Sequence, residues 1–343
     1  MTSATADQRG EARGSAVQRA RAAFVGGLGG VLDHLPAALV DGTCDAIGEL
    51  WYRVAPGRGA IARGNLAHVA GWLAAEGRGS DRARFAADDP AALERLVRAA
   101  FRHAVRSYAE TLRGGASIAR DVSRHLVMDT PEAVDAAFLA GGPAVFATLH
   151  FGSMAAIASV MGSRSRVPVT VPMETLGDPE LQRVLLRARE SVGVRIVGLD
   201  QARRELRAAL ARGGAVGLVA DRDIAGGGVA VPLFGLPASL PIGPAYLALD
   251  AGAPLHVAAV QRRKGGGFRG SLVTLPHPPA DLPRRARVEA LLAATASAFE
   301  GLVATAPEQW WTVFFPIWAD VGPRPRSRAG VTALTSGPGD PAA

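Results

Sequence analysis

Cysteine is almost missing from this chain of 343 residues, and the one that is present, Cys44, allows neither an internal disulfide nor a zinc site built on cysteine. A reducing compartment is the simplest expectation. Long apolar runs are missing too: the longest uncharged stretch near the start, Ala22 to Leu32, holds 11 residues including four glycines, whereas a spanning helix needs about 20. No transmembrane helix is expected. Nor does the beginning read as a signal peptide, because Asp7, Glu11 and several arginines are mixed before that run and no clear cleavage site follows. Lysine is scarce beside arginine, while Ala and Gly are abundant, as a GC-rich genome would give. The net charge of +7 is therefore a weak pointer to an anionic partner. The arginines are dispersed and no nucleic-acid motif accompanies them, so nucleic-acid binding is not expected. Aromatics make up only 6% of the chain, yet three of the five tryptophans gather in "PEQWWTVFFPIW", Pro307 to Trp318, where they either close a core or touch an acyl chain at a rim.

What is present is a chain with 48% apolar residues, enough for a substantial core. Residues 1–16 and 321–343 are polar or rich in Pro and Gly and are expected to be disordered tails around one domain over 17–320. From 17 to about 115 the chain reads as helices. In one of them Leu93, Leu96, Val97, Phe101, Ala104, Val105, Tyr108 and Leu112 recur at spacings of three and four. Over 116–320 short apolar runs alternate with helical ones. Strands are expected at 144–149, 167–171, 195–197, 215–220, 255–260 and 271–275, with helices at about 153–162, 178–192, 200–212, 242–251 and 286–304. The alternation predicts an α/β fold, a mixed and mostly parallel sheet flanked by helices, whose last two strands form an antiparallel hairpin around "RRKGGGFRG".

In such sheets ligands gather at the carboxyl ends of strands. His150 falls there, directly after "AVFATL", where a neutral imidazole could take a proton from an alcohol. A histidine merely satisfied by backbone groups is an equally good reading of its position alone. Gly152 and Ser153 open the following helix and could offer backbone donors to an oxyanion. A second strand end carries Asp221, Arg222 and Asp223. The arginine could hold a phosphate or carboxylate, and the aspartates could order the loop or bind a polar group. Two carboxylates one residue apart, with no nearby His or Cys, do not specify a metal. Glu174 follows a third strand, and Arg189 lies on the helix after it, close enough in sequence to pair or to bind an anion together. For each of these charged groups a structural salt bridge or a solvated surface position is the commoner reading.

The blocks "ARGNLAHV" (62–69), "AFRHAVRSYAETLR" (100–113), "GGPAVFATLHFGS" (141–153), "RARESVGVRIV" (187–197), "ADRDIAGGGVAVPLFGLPASLPIGPAYLAL" (220–249) and "PEQWWTVFFPIW" together resemble the bacterial lysophospholipid and lipid A acyltransferase family, which includes the late lipid A acyltransferases and phosphatidylinositol mannoside acyltransferase. The resemblance implies a peripheral enzyme on the cytoplasmic face of the plasma membrane, without a cofactor. Such an enzyme moves an acyl group from acyl-CoA or acyl carrier protein to a lipid or glycolipid hydroxyl. It implies His150 as general base; for an enzyme of that kind Arg189 and Arg222 would bind the anionic parts of donor or acceptor, with Glu174, Asp221 and Asp223 shaping the pocket. Membrane contact would come from the N-terminal helices and from Arg262, Arg263 and Lys264. The family's HX4D or HX4E motif is broken here, because Ala155 stands where the acid should orient the histidine. Three explanations remain open: Glu174, Asp221 or Asp223 reaches the ring; Ser153 or a carbonyl orients it; or the chain keeps only lipid binding.

Overall fold

A computed structural model describes residues 15–139, 141–224 and 226–322. The two tails expected to be disordered lie, but for their innermost residues, outside this range. The helical expectation for the first third holds and runs slightly further. Helices α1 (Ala16–His34), α2 (Ala37–Val54), α3 (Pro56–Ala75), α4 (Asp81–Phe85), α5 (Pro90–Leu112) and α6 (Gly115–His125) follow in succession. The start of α5 is written in its sequence: the Asp89 side chain accepts from the Ala91 amide at 2.8 Å, and Pro90 occupies the first turn, where its missing N–H costs nothing. Its apolar stripe is buried from Leu96 through Phe101 to Ala104.

The α/β part contains β1 (Leu126–Met128), α7 (Pro131–Leu139), β2 (Ala144–Thr148), α8 (Met154–Arg164), β3 (Val169–Met173), α9 (Pro179–Glu190), β4 (Arg195–Gly198), α10 (Leu199–Ala211) and β5 (Ala215–Val219). A hairpin of β6 (Val229–Leu233) and β7 (Leu236–Leu240) comes next, then α11 (Gly243–Ala251), β8 (Leu255–Arg262), β9 (Phe268–Leu275) and α12 (Arg284–Thr305). Two short 3-10 turns, Pro307–Gln309 and Trp311–Phe314, end the described chain. Seven strands form one sheet in the order β1-β9-β8-β2-β5-β3-β4, parallel except where β8 meets β9. The expected architecture and the expected hairpin are thus both present. All five residues of β2 are buried, as befits a central strand covered on both faces. Among the described residues one helix, α12, is long and apolar enough to cross a membrane by length and composition. It packs Leu291, Leu292, Ala296, Phe299 and Val303 into the main core.

Four strands and α-helices have no counterpart among those expected from the sequence: β1, α7 and the two strands of the β6–β7 hairpin. The hairpin is disguised by Pro232 and Pro237, which face each other across it. Its signal is the alternation of Val231 and Leu233, buried, with exposed Ala230 and Pro232, closed by a turn whose residues Phe234 and Gly235 both have positive φ, 50° and 74°.

The N-terminal helices pack in an unusual sense. Helix α2 turns its acids inward onto the arginines of α5: Asp45 meets Arg106 at 2.8 Å, Asp41 meets Arg106 at 3.5 Å, and Glu49 receives Arg98 and Arg102. The backbones touch closely, since a Cβ on Gly48 would lie 2.6 Å from Arg102 Cα. Several apolar side chains of α1 and α2 face outward. Phe24 is 71% exposed, and Val31, Leu39, Ile47, Leu50 and Val54 are exposed with it.

Candidate functional site

The site is made by strand register. Strands β2 and β5 are parallel neighbours with Thr148 opposite Val219, and the Ala220 amide continues the ladder to the Thr148 carbonyl at 2.8 Å. Two steps on, His150 and Asp221 leave the sheet side by side. His150 Nδ1 and Asp221 Oδ1 are 2.8 Å apart, and the His150 amide donates to Asp221 Oδ2 at 2.9 Å. Of the three acids that could stand in for the one missing at Ala155, Asp221 reaches the ring. Glu174 is exposed beyond β3. Asp223 is committed to its own loop, accepting from the Gly228 amide at 2.8 Å and from Ser239 Oγ at 3.2 Å.

Asp221 is held from all sides. Its Oδ2 also accepts from Trp310 Nε1 at 2.8 Å and from Thr312 Oγ1 at 2.7 Å, and its side chain is 1% exposed. Burial is the strongest single influence on this carboxyl and pushes its pKa up. The charge that His150 carries when protonated, with the bonds from His150, Thr312 and Trp310, outweighs burial and leaves the carboxyl below the ordinary aspartate range. An ionised carboxylate only accepts, so Nδ1 carries the ring proton and Nε2 keeps its lone pair. The ring packs edge-on against Trp311, with centroids 4.4 Å apart. Such an imidazole is fixed in orientation and tautomer, and its free nitrogen can take a proton from a bound alcohol or amine.

The C-terminal aromatic stretch therefore belongs to both the core and the site. Phe151 and Trp310 form an isolated antiparallel bridge, the Trp311 amide donates to the His150 carbonyl at 3.0 Å, and the Gly152 amide donates to the Gln309 carbonyl at 3.0 Å. Gln309 also clamps the end of β8: its side chain accepts from the Arg262 amide at 2.9 Å and donates to the Arg262 carbonyl at 2.8 Å. Trp310, Thr312 and Gln309 were not singled out individually by the sequence reading. Their only signal there was the aromatic cluster.

Several sequence expectations need correction. Gly152 and Ser153 do not offer free amides to an oxyanion, because one serves Gln309 and the other donates to the Val260 carbonyl at 2.8 Å. Ser153 is instead the N-cap of α8, its Oγ accepting from the Ala156 amide at 3.1 Å. Glu174 and Arg189 do not pair. Arg189 is half-buried with no carboxylate or hydrogen-bond partner for its side chain among the described residues, and lost hydration draws its pKa below the ordinary arginine range. Arg262 does not face a membrane: it is locked to Glu110 by two bonds of 2.6 Å, with its side chain 10% exposed. Arg263 and Lys264 are exposed at the hairpin turn, as expected. Arg222 stacks on Phe315, its guanidinium carbon 3.6 Å from the ring centre, and has no carboxylate partner among the described residues.

Residues 13–318 match the family of bacterial lipid A biosynthesis acyltransferases. The chain belongs to that family. Among curated relatives, the phosphatidylinositol mannoside acyltransferase of Mycolicibacterium smegmatis is 32% identical over 197 residues, covering 56% of this chain and 62% of that protein. The enzyme of the same name from Mycobacterium tuberculosis is 32% identical over 200 residues, covering 56% of this chain and 60% of that protein. The chain thus spans about 60% of the length of the curated relatives it matches. In this member of the lipid A acyltransferase family the His150 ring receives its carboxylate from the neighbouring strand. Ala155, the second residue of α8, is half-buried against the core formed by Ile118, Phe146 and Ile157. An Ala155→Asp variant should therefore gain no activity and should unfold at a lower temperature, since Asp221 already holds Nδ1 and a second carboxylate would be desolvated without a partner. Thermal melts and acyl-transfer rates of the pure variant check both halves.

Proposed function

We propose that the protein transfers a fatty acyl group from a CoA or acyl-carrier-protein thioester to a hydroxyl or amine of a membrane lipid, glycolipid or amphiphilic metabolite, with His150 as general base and Asp221 as its orienting acid. The observation that carries this reading is the buried contact of 2.8 Å between His150 Nδ1 and Asp221 Oδ1. His150 Nε2 removes the acceptor proton as the acceptor oxygen or nitrogen attacks the thioester carbonyl. The tetrahedral intermediate collapses with cleavage of the carbon–sulfur bond, and the imidazolium returns its proton to the departing thiolate. Asp221 stabilises the imidazolium while it exists. Arg189 and Arg222, both without a carboxylate partner among the described residues, take anionic groups of donor or acceptor. The reading of a non-catalytic, lipid-binding protein that merely keeps the fold rested on Ala155, and the Asp221 contact removes its main support.

The test is thiol release by the purified protein with a panel of acyl-CoA and acyl-carrier donors and total host lipid as acceptor. Turnover should fall to background in His150→Ala. Equal rates for wild type and variant with every donor and acceptor would end the proposal.

The exposed apolar side chains of α1 and α2 support a peripheral position on the cytoplasmic face of the plasma membrane, since Phe24, Val31 and Leu50 suit a lipid interface better than water. Burying a Phe or Val side chain is worth about 1.5–3 kcal/mol. Replacing both Phe24 and Val31 by Ser should weaken binding to phosphatidylglycerol vesicles at least about tenfold in a flotation assay, with the melting temperature unchanged.

A further inference from the structure

The motif "ARGNLAHV" has so far been left without a role, and so has the Thr312 hydroxyl beyond its bond to Asp221. The two meet at the 3-10 turn Trp311–Phe314. Asn65, fully buried on α3, donates from Nδ2 to the Val313 and Phe315 carbonyls at 2.8 and 2.7 Å, and Arg58 Nη1 donates to the Phe314 carbonyl at 2.8 Å. The Phe315 amide closes the turn on the Thr312 carbonyl at 2.9 Å. Helix α3 thus holds the main chain that follows Thr312, while the bond from the Trp311 amide to the His150 carbonyl holds the residue before it. Between these two ties Thr312 is 1% exposed.

Its hydroxyl lies against both members of the pair. Thr312 Oγ1 is 2.7 Å from Asp221 Oδ2 and 3.5 Å from His150 Nδ1. A hydroxyl has one proton and two lone pairs, and a carboxylate only accepts, so the proton goes to Asp221 and a lone pair is left for the ring nitrogen. The two carboxylate oxygens then have different tasks. Oδ2 accepts from the His150 amide, Trp310 Nε1 and Thr312 Oγ1, at 2.9, 2.8 and 2.7 Å, and is saturated. With Oδ2 pinned, the carboxylate cannot turn without breaking these bonds, and Oδ1 stays aimed at Nδ1 at 2.8 Å. A proton on Nδ1 therefore finds one strong acceptor and one weak one. In the other tautomer a lone pair on Nδ1 would face two groups with no proton to give it, since the carboxylate has none and that of the hydroxyl is already used.

We propose that Thr312 is a positioning residue of the base: its hydroxyl fixes the Asp221 carboxylate and, with it, keeps the His150 proton on Nδ1 so that Nε2 stays free. The inference rests on the acyl-transfer reading for its effect on turnover, but the tautomer of His150 is a property of the protein without substrate.

The experiment is nitrogen-15 NMR of the full chain labelled at histidine, in alkaline buffer where imidazoles are neutral, with His150 assigned by the signal that His150→Ala loses. The nitrogen shifts tell a protonated ring nitrogen from a bare one. In wild type and in Thr312→Ser, His150 should carry its proton on Nδ1. In Thr312→Val, which keeps the shape and loses the hydroxyl, and in the smaller Thr312→Ala, a substantial fraction should carry it on Nε2. Asp221→Asn marks the fully reversed state. In acyl transfer Thr312→Val and Thr312→Ala should lower kcat about ten- to a hundredfold with KM within about threefold, the loss expected for one hydrogen bond to a charged group, and Thr312→Ser should recover to within about threefold of wild type. A residue that only filled its place would give the opposite order, with valine tolerated better than serine. The wild-type tautomer in both Thr312→Val and Thr312→Ala, or a loss of kcat in Thr312→Ser equal to that in Thr312→Val, would overturn the inference. Equal rates for wild type and His150→Ala would instead remove the acyl-transfer reading, and the tautomer comparison would still decide the role of Thr312.

Discussion

Asp221→Asn should lower turnover in acyl transfer by about 10⁴-fold while leaving KM for donor and acceptor within about threefold, the loss that follows when a triad aspartate is replaced by its amide. The amide can still accept from Trp310, Thr312 and the His150 amide through its oxygen, so the loop should keep its shape. What changes is the group facing His150 Nδ1, which now donates. The ring must then carry its proton on Nε2, where the acceptor needs a lone pair, and the imidazolium loses its counter-charge. A variant with an unchanged structure and nearly full turnover would show that Asp221 is only a structural anchor. The same substitution has a pH signature. Asp221 is held below its ordinary value of 3.8 in the fold, so the unfolded chain takes up its proton first as the pH falls. Its contribution to stability is complete above the unfolded value and is lost as the pH drops through the folded one. The stability gap between wild type and Asp221→Asn should therefore shrink as the pH falls below about 4, as read by urea unfolding at a series of acid pH values.

Gly152→Ala should cost about 3 kcal/mol or more of folding stability, or prevent folding. Gly152 has φ of 59°, a left-handed conformation that costs a residue with a Cβ about 1–2 kcal/mol. The new Cβ would also lie 2.2 Å from the Val260 carbonyl oxygen and 2.7 Å from Gln261 Cα. Those are backbone atoms of β8, which is paired to both β2 and β9 and cannot step aside alone. Gly213→Ala is the control. Its φ of 77° is as unfavourable, but nothing lies within 4 Å of the added atom, so only the conformational cost of about 1 kcal/mol should remain. Chemical denaturation of the two variants separates the contributions, and a similar loss in both would show that the β8 contact yields easily.

How much of this could be read in advance depended on whether a feature was local. The apolar run 144–149 identified β2 to within a residue, because a central strand is apolar throughout, and the alternation after it identified the sheet. His150 at the strand end was legible for the same reason. The choice of Asp221 over Glu174 and Asp223 was not, because it depends on β5 lying beside β2 in a particular register, a pairing between segments about 70 residues apart in the chain. The use of the Gly152 and Ser153 amides was hidden likewise, since their acceptors lie on β8 and in the C-terminal turn. The inward charges of α2 could be counted in the sequence but not assigned, because a helix whose polar face meets another polar face reads as an ordinary amphipathic one.

The two side-chain donors that complete the Asp221 shell come from Trp310 and Thr312, almost at the end of the described chain. During synthesis every residue of the sheet, and the whole of α12, is made before either of them. Until then the Asp221 carboxylate has only His150 to offset its burial, and this corner of the sheet should stay hydrated and open. Arrival of the C-terminal turn adds Trp310 and Thr312 to the carboxylate and Trp311 to the imidazole, so the surroundings of the His150–Asp221 pair would be completed only then. Competence for proton transfer would be acquired only after the whole sheet and α12 have been made.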